Sequence, residues 1–288
     1  MTPEQLRTVL AEAAADTART AHPADGAVLR RADGRTPGHW HSNLALRTAA
    51  RLDGADAHDV AEQFAEALRR HPDIAAVTVS GPGFLGIEVT AASLLAAVCA
   101  IIAEQIADAD PGADAVPAAD AHTSADDGDP APEVPDGPAR ALDDDPVHLI
   151  RRSHAHGRRL LRNAAAAGVP GGCPRTAAKG DVRVGEARPD SAEIVGAETL
   201  DTAERSLLVH VTEAADTLAR TRDPAALTAT LADLAHAYLD WAASHTLVPT
   251  LDADITAVHA ARAVLVDAVT TVLARGLRLL GVRAPERM

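Results

Sequence analysis

The sequence predicts an α+β amino-terminal domain followed by an all-α carboxyl-terminal helical bundle, and three observations support this. Apolar residues make up 47% of the chain but aromatic residues only 2%, so the core is built from Ala, Leu, Val and Ile, which favours closely packed helices. Gly81-Pro82-Gly83 separates two apolar runs, as a turn between strands does. Apolar side chains recur at three- and four-residue spacing near the end of the chain, namely at Leu265, Val269, Val272, Leu273, Leu277 and Leu280.

Residues 1–106 are predicted to form the α+β domain. Apolar spacing indicates helices through residues 6–13, 42–52, 56–70 and 91–106, with strands over 76–79 and 84–89. Asp56 or Asp59 lies near the start of the third helix, where a carboxylate suits the helix dipole. The region between the first two helices is predicted to be a Gly- and Asp-containing loop.

Residues 107–144 are predicted to be a flexible acidic linker. They are rich in Ala, Asp and Pro with almost no large apolar residue, so burial cannot offset the entropy cost of ordering them. Between residues 107 and 147 eleven Asp and one Glu face only Arg140, a local charge of −11 out of −14 for the chain. The linker either spaces the two domains or shields a basic segment as an electrostatic mimic.

Residues 145–288 are predicted to form a bundle of four or slightly more helices. The helical pattern runs from 145 to 162, breaks over a loop from about 168 to 197, and returns over 200–220, 224–244 and 254–280. Gly281 is placed to end the last helix in a left-handed conformation. From 148 to 183 the charge is basic, with eight Arg or Lys residues and the single acid Asp181.

Cys99 and Cys173 are far apart in the sequence and predict neither a disulfide framework nor a metal site. We therefore expect both cysteines to be bystanders in a reducing cytoplasm. The amino terminus lacks the pattern of a secretion signal, and the longest apolar stretch, 91–103, is too short to cross a bilayer, so we expect no membrane partner.

Four segments resemble the arginyl-tRNA synthetase family, in the same order along the chain. They are Gly38-His39-Trp40-His41-Ser42-Asn43, Gly81-Pro82-Gly83-Phe84-Leu85-Gly86-Ile87, the run from Asp145 to His156, and the run from Leu231 to Trp241. The ending Gly276-Leu-Arg-Leu-Leu-Gly-Val-Arg-Ala-Pro-Glu-Arg-Met288 is similar to the end of the family's DALR-type anticodon-binding domain. The resemblance implies two tRNA-binding parts, one that contacts the tRNA elbow and one that holds the anticodon stem-loop.

The family's catalytic core has no counterpart in the sequence. Its His-x-Gly-His signature is missing, and Lys179, the single lysine of the chain, lies in no matching motif. We therefore predict no catalytic residues, no cofactor and no enzyme activity for this chain on its own, although the family's activity is that of an arginine–tRNA ligase. The predicted function is that of a non-catalytic tRNA-binding protein, and the resemblance makes an arginine tRNA the expected partner.

Trp40, His41 and Asn43 are candidate contacts to the tRNA elbow. A planar ring can stack on an unstacked base while imidazole and amide groups contact its edge. The alternative is that Trp40 anchors the core and Asn43 caps the helix that follows. His41 replaces the family's Gln.

The second group of candidate RNA contacts consists of basic residues on one predicted helix, where they can meet phosphates along a backbone: Arg151, Arg152, Arg158, Arg159 and Arg162. The alternative is a solvated helix face. Met288 resembles the family's terminal Met near the anticodon loop. His154 and His156 point to different sides of a helix, so no metal site is predicted.

Two other functions remain open. The chain could supply tRNA recognition to a partner enzyme, as one subunit of a split ligase whose catalytic domain is on another chain. It could also be a protein-interaction scaffold in which RNA binding has been lost.

Overall fold

The computed structural model describes residues 1–18, 29–32, 37–52, 54–108, 145–171, 173, 199–249 and 253–285. The elements, in chain order, are α1 (Pro3–Ala18), β1 (Leu29–Arg31), β2 (Trp40–Ser42), α2 (Leu44–Ala49), α3 (Ala57–Arg69), β3 (Ile74–Ser80), β4 (Phe84–Val89), α4 (Ala91–Asp108), α5 (Pro146–Ala166), α6 (Thr202–Arg220), α7 (Pro224–Ala242) and α8 (Ala257–Leu279). The predicted fold class, an α+β part and a helical bundle, is confirmed.

The amino-terminal part is a four-stranded antiparallel sheet with strand order β1-β2-β4-β3. The β3–β4 hairpin turns at Gly81-Pro82-Gly83, where φ is +53° at Gly81 and +129° at Gly83, angles that favour glycine. Helices α2 and α3 pack on the sheet and α1 packs on α3, which buries Leu6, Leu10 and Phe64. The predicted hairpin is confirmed. The region between the first two helices was interpreted as a loop, and this is wrong at β1 and β2.

The carboxyl-terminal part is a bundle of α5, α6, α7 and α8, as the apolar spacing predicts. Asp145, Asp201 and Asp223 each cap a helix through a side-chain oxygen that accepts a backbone N–H. Helix α8 ends in a Schellman motif, in which Gly281 has φ +71° and Val282 N–H donates to the Leu277 carbonyl at 2.8 Å. The prediction that Gly281 ends this helix is confirmed.

Helix α8 is long and apolar enough to cross a membrane by length and composition alone, and no other described helix meets that criterion. In the structure α8 packs against α4, α5, α6 and α7, and Ala263, Val266, Val269 and Leu273 are among its buried residues. It is the central helix of the bundle core.

Helix α4 joins the two parts. The sequence assigns it to the amino-terminal domain, and the structure packs its apolar side chains against α6 and α8 of the bundle, while α1 and β1 also touch α6. Leu94, Leu95 and Val98 are buried there in a single continuous core. The described parts of residues 1–108 and 145–285 therefore form one packed body, whereas 109–144, the bulk of the predicted linker, lies outside the described residues.

Cys99 and Cys173 form a disulfide, which corrects the prediction that both are bystanders. Their Cα atoms are 5.5 Å apart, although 74 residues separate them in the sequence. The bond joins α4 to the segment after α5. Disulfides persist in oxidising compartments, so the cysteines no longer support a reducing one.

Candidate nucleic-acid interface

The five arginines of α5 share one side of the helix. At about 100° per residue, Arg151, Arg152, Arg158, Arg159 and Arg162 fall within an arc of about 120°. The opposite arc carries buried residues, among them Ile150, Ser153, Gly157 and Ala164, which pack on α7 and α8. We call the five arginines the arginine face of α5.

Three members of the arginine face, Arg152, Arg159 and Arg162, are exposed. The other two are partly buried. Arg151 has a buried Nε atom without a hydrogen-bond partner among the described residues. Arg158 lies near Asp267 of α8, whose carboxyl pKa is raised by burial, and the Arg158 charge opposes that rise. Arg152 and Arg162 are ten residue steps apart, so the exposed three extend over about 15 Å along the helix axis.

Sequence features around α5 fix its position against the bundle. Gly157 lies where α5 crosses α8, and a Cβ atom there would collide with the Thr270 side chain, so glycine permits the close approach. His154 is 4% exposed, and its Nδ1 donates to the Pro285 carbonyl at 2.9 Å. His154 thus holds the segment after α8 against α5.

Aromatic and imidazole rings form a row beside α5. His156 Nδ1 shares a hydrogen bond of 2.8 Å with the Tyr238 hydroxyl, and the Trp241 ring stacks on His245 with centroids 5.1 Å apart. Tyr238 and Trp241 are buried, so they pack in the core. Burial raises the pKa of Tyr238, with the Arg159 charge acting in the opposite direction.

Lowering the pH from 7.5 to 6.0 should lower the free energy of unfolding. Burial lowers the pKa of His39, His156 and His210 below 6.5, and the Arg159 charge adds to the effect at His156. The unfolded chain then binds more protons than the folded chain. The contribution of these three histidines to the free energy of unfolding is therefore complete above pH 6.5 and is lost as the pH falls.

Urea unfolding at the two pH values measures this effect. Between pH 7.5 and 6.0 the free energy of unfolding of a His156→Gln variant should fall by less than that of the unmodified chain, because the variant lacks one of the three histidines. Equal stability at both pH values would contradict the prediction.

The amino-terminal candidates lie on and next to β2. Trp40 is 2% exposed in the core, so its ring has no free face for base stacking, in agreement with the alternative of a core anchor. His41 points to the other side of the strand and is partly exposed. Asn43 stands at the start of α2 without a side-chain cap, and its Oδ1 is buried with no hydrogen-bond partner among the described residues. Instead, Ser42 Oγ accepts the Leu44 N–H at 3.2 Å.

The structure does not bring the two groups of candidates together. The arginine face lies on the bundle, whereas Trp40, His41 and Asn43 belong to the sheet, and Met288 lies outside the described residues. Sequence reasoning missed Arg7 of α1 and Arg31 of β1, which link the amino-terminal part to the bundle. Arg7 binds both carboxylate oxygens of Asp216, and Arg31 lies 2.8 Å from Glu213.

Asp201, Glu204 and His245 form a cluster whose ligand atoms lie within 4.8 Å of one another. Each is already engaged, since His245 Nε2 lies 2.8 Å from Asp201 Oδ2 and Arg262 Nε lies 2.6 Å from Glu204 Oε1. A cation here would have to displace Arg262. This arrangement suits an ion-pair network better than a metal site.

A groove of about 460 Å³ lies where the sheet meets the bundle. Its lining includes Arg31, His210, Asp233, His236 and Trp241. Arg31 is held there by Glu213 and, at 3.7 Å, by Asp233. The groove therefore marks the domain junction.

Comparison with known families identifies both parts of the chain. Residues 4–89 match the model of the arginyl tRNA synthetase N terminal domain, and residues 182–288 match that of the DALR anticodon binding domain. Helix α5 precedes the second match but packs on α7 and α8, which lie within it.

Parts of the chain are also similar to individual proteins. The arginine–tRNA ligase of Pseudarthrobacter chlorophenolicus is 34% identical over 50% of this chain and 24% of its own length. That of Bifidobacterium longum is 40% identical over 31% of this chain and 14% of its own length. The Thermus thermophilus arginyl-tRNA synthetase structure is 26% identical, with a TM-score of 0.32, over 48% of this chain and 20% of that one. The chain thus spans about a quarter or less of these relatives.

Proposed function

Because the chain belongs to the arginyl-tRNA synthetase family through its amino-terminal and anticodon-binding domains, we propose that it binds tRNA without charging it. The observation that carries the proposal is the arginine face of α5. Five guanidinium groups share one arc of a helix that packs on the DALR-type bundle, and three of them are exposed. The sequence from 148 to 162 itself contains no acidic residue. Such a surface binds phosphates and gives little base discrimination.

The non-catalytic part of the proposal rests on the sequence between the two matched domains. Residues 90–181 separate them, and the described portions of this interval are helices α4 and α5, which pack on the bundle. Adenylate formation needs groups that position ATP and stabilise its developing charge, and the family's His-x-Gly-His signature for that step is missing from the 288 residues. An arginine tRNA is the proposed ligand because of the family, and the proposed place of action is the cytoplasm.

The test is a titration of the purified chain with individual tRNAs at 50 and 200 mM salt. The affinity should fall steeply as the salt concentration rises, because each phosphate contact releases counterions. The Arg159→Gln/Arg162→Gln variant should bind about tenfold or more weakly at low salt, and the log–log salt slope should shrink in magnitude by about 2.

The matched control is Arg51→Gln/Arg70→Gln, which removes two exposed positive charges from the amino-terminal part. It should leave both affinity and slope close to those of the unmodified chain. Absence of binding to any tRNA at 50 mM salt would overturn the proposal and favour a protein-interaction scaffold. ATP–pyrophosphate exchange above background in the presence of arginine would overturn the non-catalytic part.

A further inference from the structure

The arginine face of α5 is a basic surface that suits carboxylates as well as phosphates. Arg152, Arg159 and Arg162 are exposed on it, while the buried residues of the helix pack on α7 and α8. A guanidinium group can donate two parallel N–H bonds to a carboxylate or to a phosphate. Carboxylates that the chain itself holds near α5 therefore compete with RNA for this surface.

The chain supplies such carboxylates immediately before α5. Residues 107–147, which we call the acidic segment, contain eleven Asp, one Glu and one Arg, a net charge of −11. Residues 109–144 of this segment lie outside the described residues, and α5 begins at Pro146 directly after them. The most acidic stretch of the chain is thus joined to the helix that carries the arginine face.

The covalent connection is long enough for the acidic segment to reach every member of the arginine face. Asp145 caps the first turn of α5, and Arg162 lies 17 residue steps further on, or about 25 Å along the helix axis. A polypeptide covers that distance with about eight residues, and 36 residues lie between Asp108 and Asp145. The Cys99–Cys173 disulfide also encloses the acidic segment and the whole of α5 in one covalent loop.

We propose that carboxylates of the acidic segment occupy the arginine face when RNA is absent, and that RNA has to displace them to bind. This inference rests on the proposed function and adds a means of regulating the same site. A competitor on the same chain acts at an effective concentration on the order of millimolar, and salt weakens its ion pairs. The acidic segment therefore lowers the RNA affinity most at low salt and makes that affinity less dependent on salt.

The experiment neutralises part of the acidic segment and measures tRNA binding by the full chain at 50 and 200 mM salt. The neutralised variant is Asp126→Asn/Asp127→Asn/Asp129→Asn/Asp136→Asn. At 50 mM salt it should bind tRNA about tenfold more tightly than the unmodified chain, because fewer carboxylates compete for the arginines. At 200 mM salt the two affinities should agree within about threefold, because the competing ion pairs are screened.

Exposed arginines also lie on the amino-terminal part, so two backgrounds show which surface the carboxylates occupy. In Arg159→Gln/Arg162→Gln the four Asp→Asn substitutions should change the tRNA affinity by less than about threefold, because the competitor has lost most of its binding site. In the matched Arg51→Gln/Arg70→Gln background the gain of about tenfold should remain. Repulsion between RNA and the acidic segment without docking on α5 would give the same gain in both backgrounds.

The inference would be overturned if the neutralised variant and the unmodified chain bound tRNA equally at 50 mM salt, or if the gain were equal in the two arginine backgrounds. In both cases the proposed tRNA binding would stand. Failure of the unmodified chain and the neutralised variant to bind any tRNA at 50 mM salt would overturn the proposed function and this inference together.

Discussion

Reduction of the Cys99–Cys173 disulfide is expected to lower the free energy of unfolding by about 4 kcal/mol. The bond closes a loop across a sequence separation of 74 residues, and removing such a cross-link restores conformational entropy to the unfolded chain. The closed loop contains the whole acidic segment, 107–147, whose like charges favour expansion of the unfolded chain. Urea unfolding with and without reductant measures the difference.

Two variants control this measurement. Cys99→Ser and Cys173→Ser should each be about as unstable as the reduced chain, and reductant should not destabilise either of them further. Both cysteine residues are partly buried, so the small loss of packing in each variant is expected to be similar. Two titratable thiols in the purified, unreduced chain would contradict the disulfide, as would equal stability with and without reductant.

The disulfide also shows what spacing along a chain can and cannot predict. The α8 pattern predicts its helix, its buried face and its glycine end, because these depend on residues within a few turns of one another. The pairing of Cys99 with Cys173 depends on α4 packing against the bundle. No local pattern carries that information.

The same limit explains the two missed strands. Strands β1 and β2 have only three residues each, and β2 is held between β1 and β4, with His41 opposite Arg30 and Gly86. Three residues are too few to show an alternating pattern. The partner of β2 in β4 is more than forty residues away, and β1 is held in the sheet only through its pairing with β2, so tertiary pairing decides the local structure.

The candidate RNA contacts show the same difference between features that depend on local spacing and features that depend on tertiary packing. The arginine face follows from helical spacing, and the structure places all five side chains on one arc of α5. Trp40, in contrast, was weighed between base stacking and core packing, and only its 2% exposure distinguishes them. Arg7 and Asp216, which pair across the two domains, are 209 residues apart and carry no joint signal in the sequence.

Replacing Arg262 by methionine is expected to lower the free energy of unfolding by about 3 kcal/mol. Arg262 Nε donates to Glu204 Oε1 at 2.6 Å, and the Glu204 side chain is 1% exposed. Without the guanidinium a carboxylate stays buried with no opposite charge, which costs more than the ion pair itself contributes. Arg262 also donates to the Thr246 carbonyl at 3.2 Å, so its loss frees one further acceptor.

The double variant Glu204→Gln/Arg262→Met separates these contributions in urea unfolding. It should regain at least about 1 kcal/mol over Arg262→Met, because the uncompensated charge is gone while Gln keeps an acceptor for the Asp201 N–H. If the double variant were less stable than Arg262→Met alone, the buried charge would not be the cause. Since Glu204 closes the capping box of α6 and Arg262 belongs to α8, recovery would show that this pair secures the start of one helix against the other.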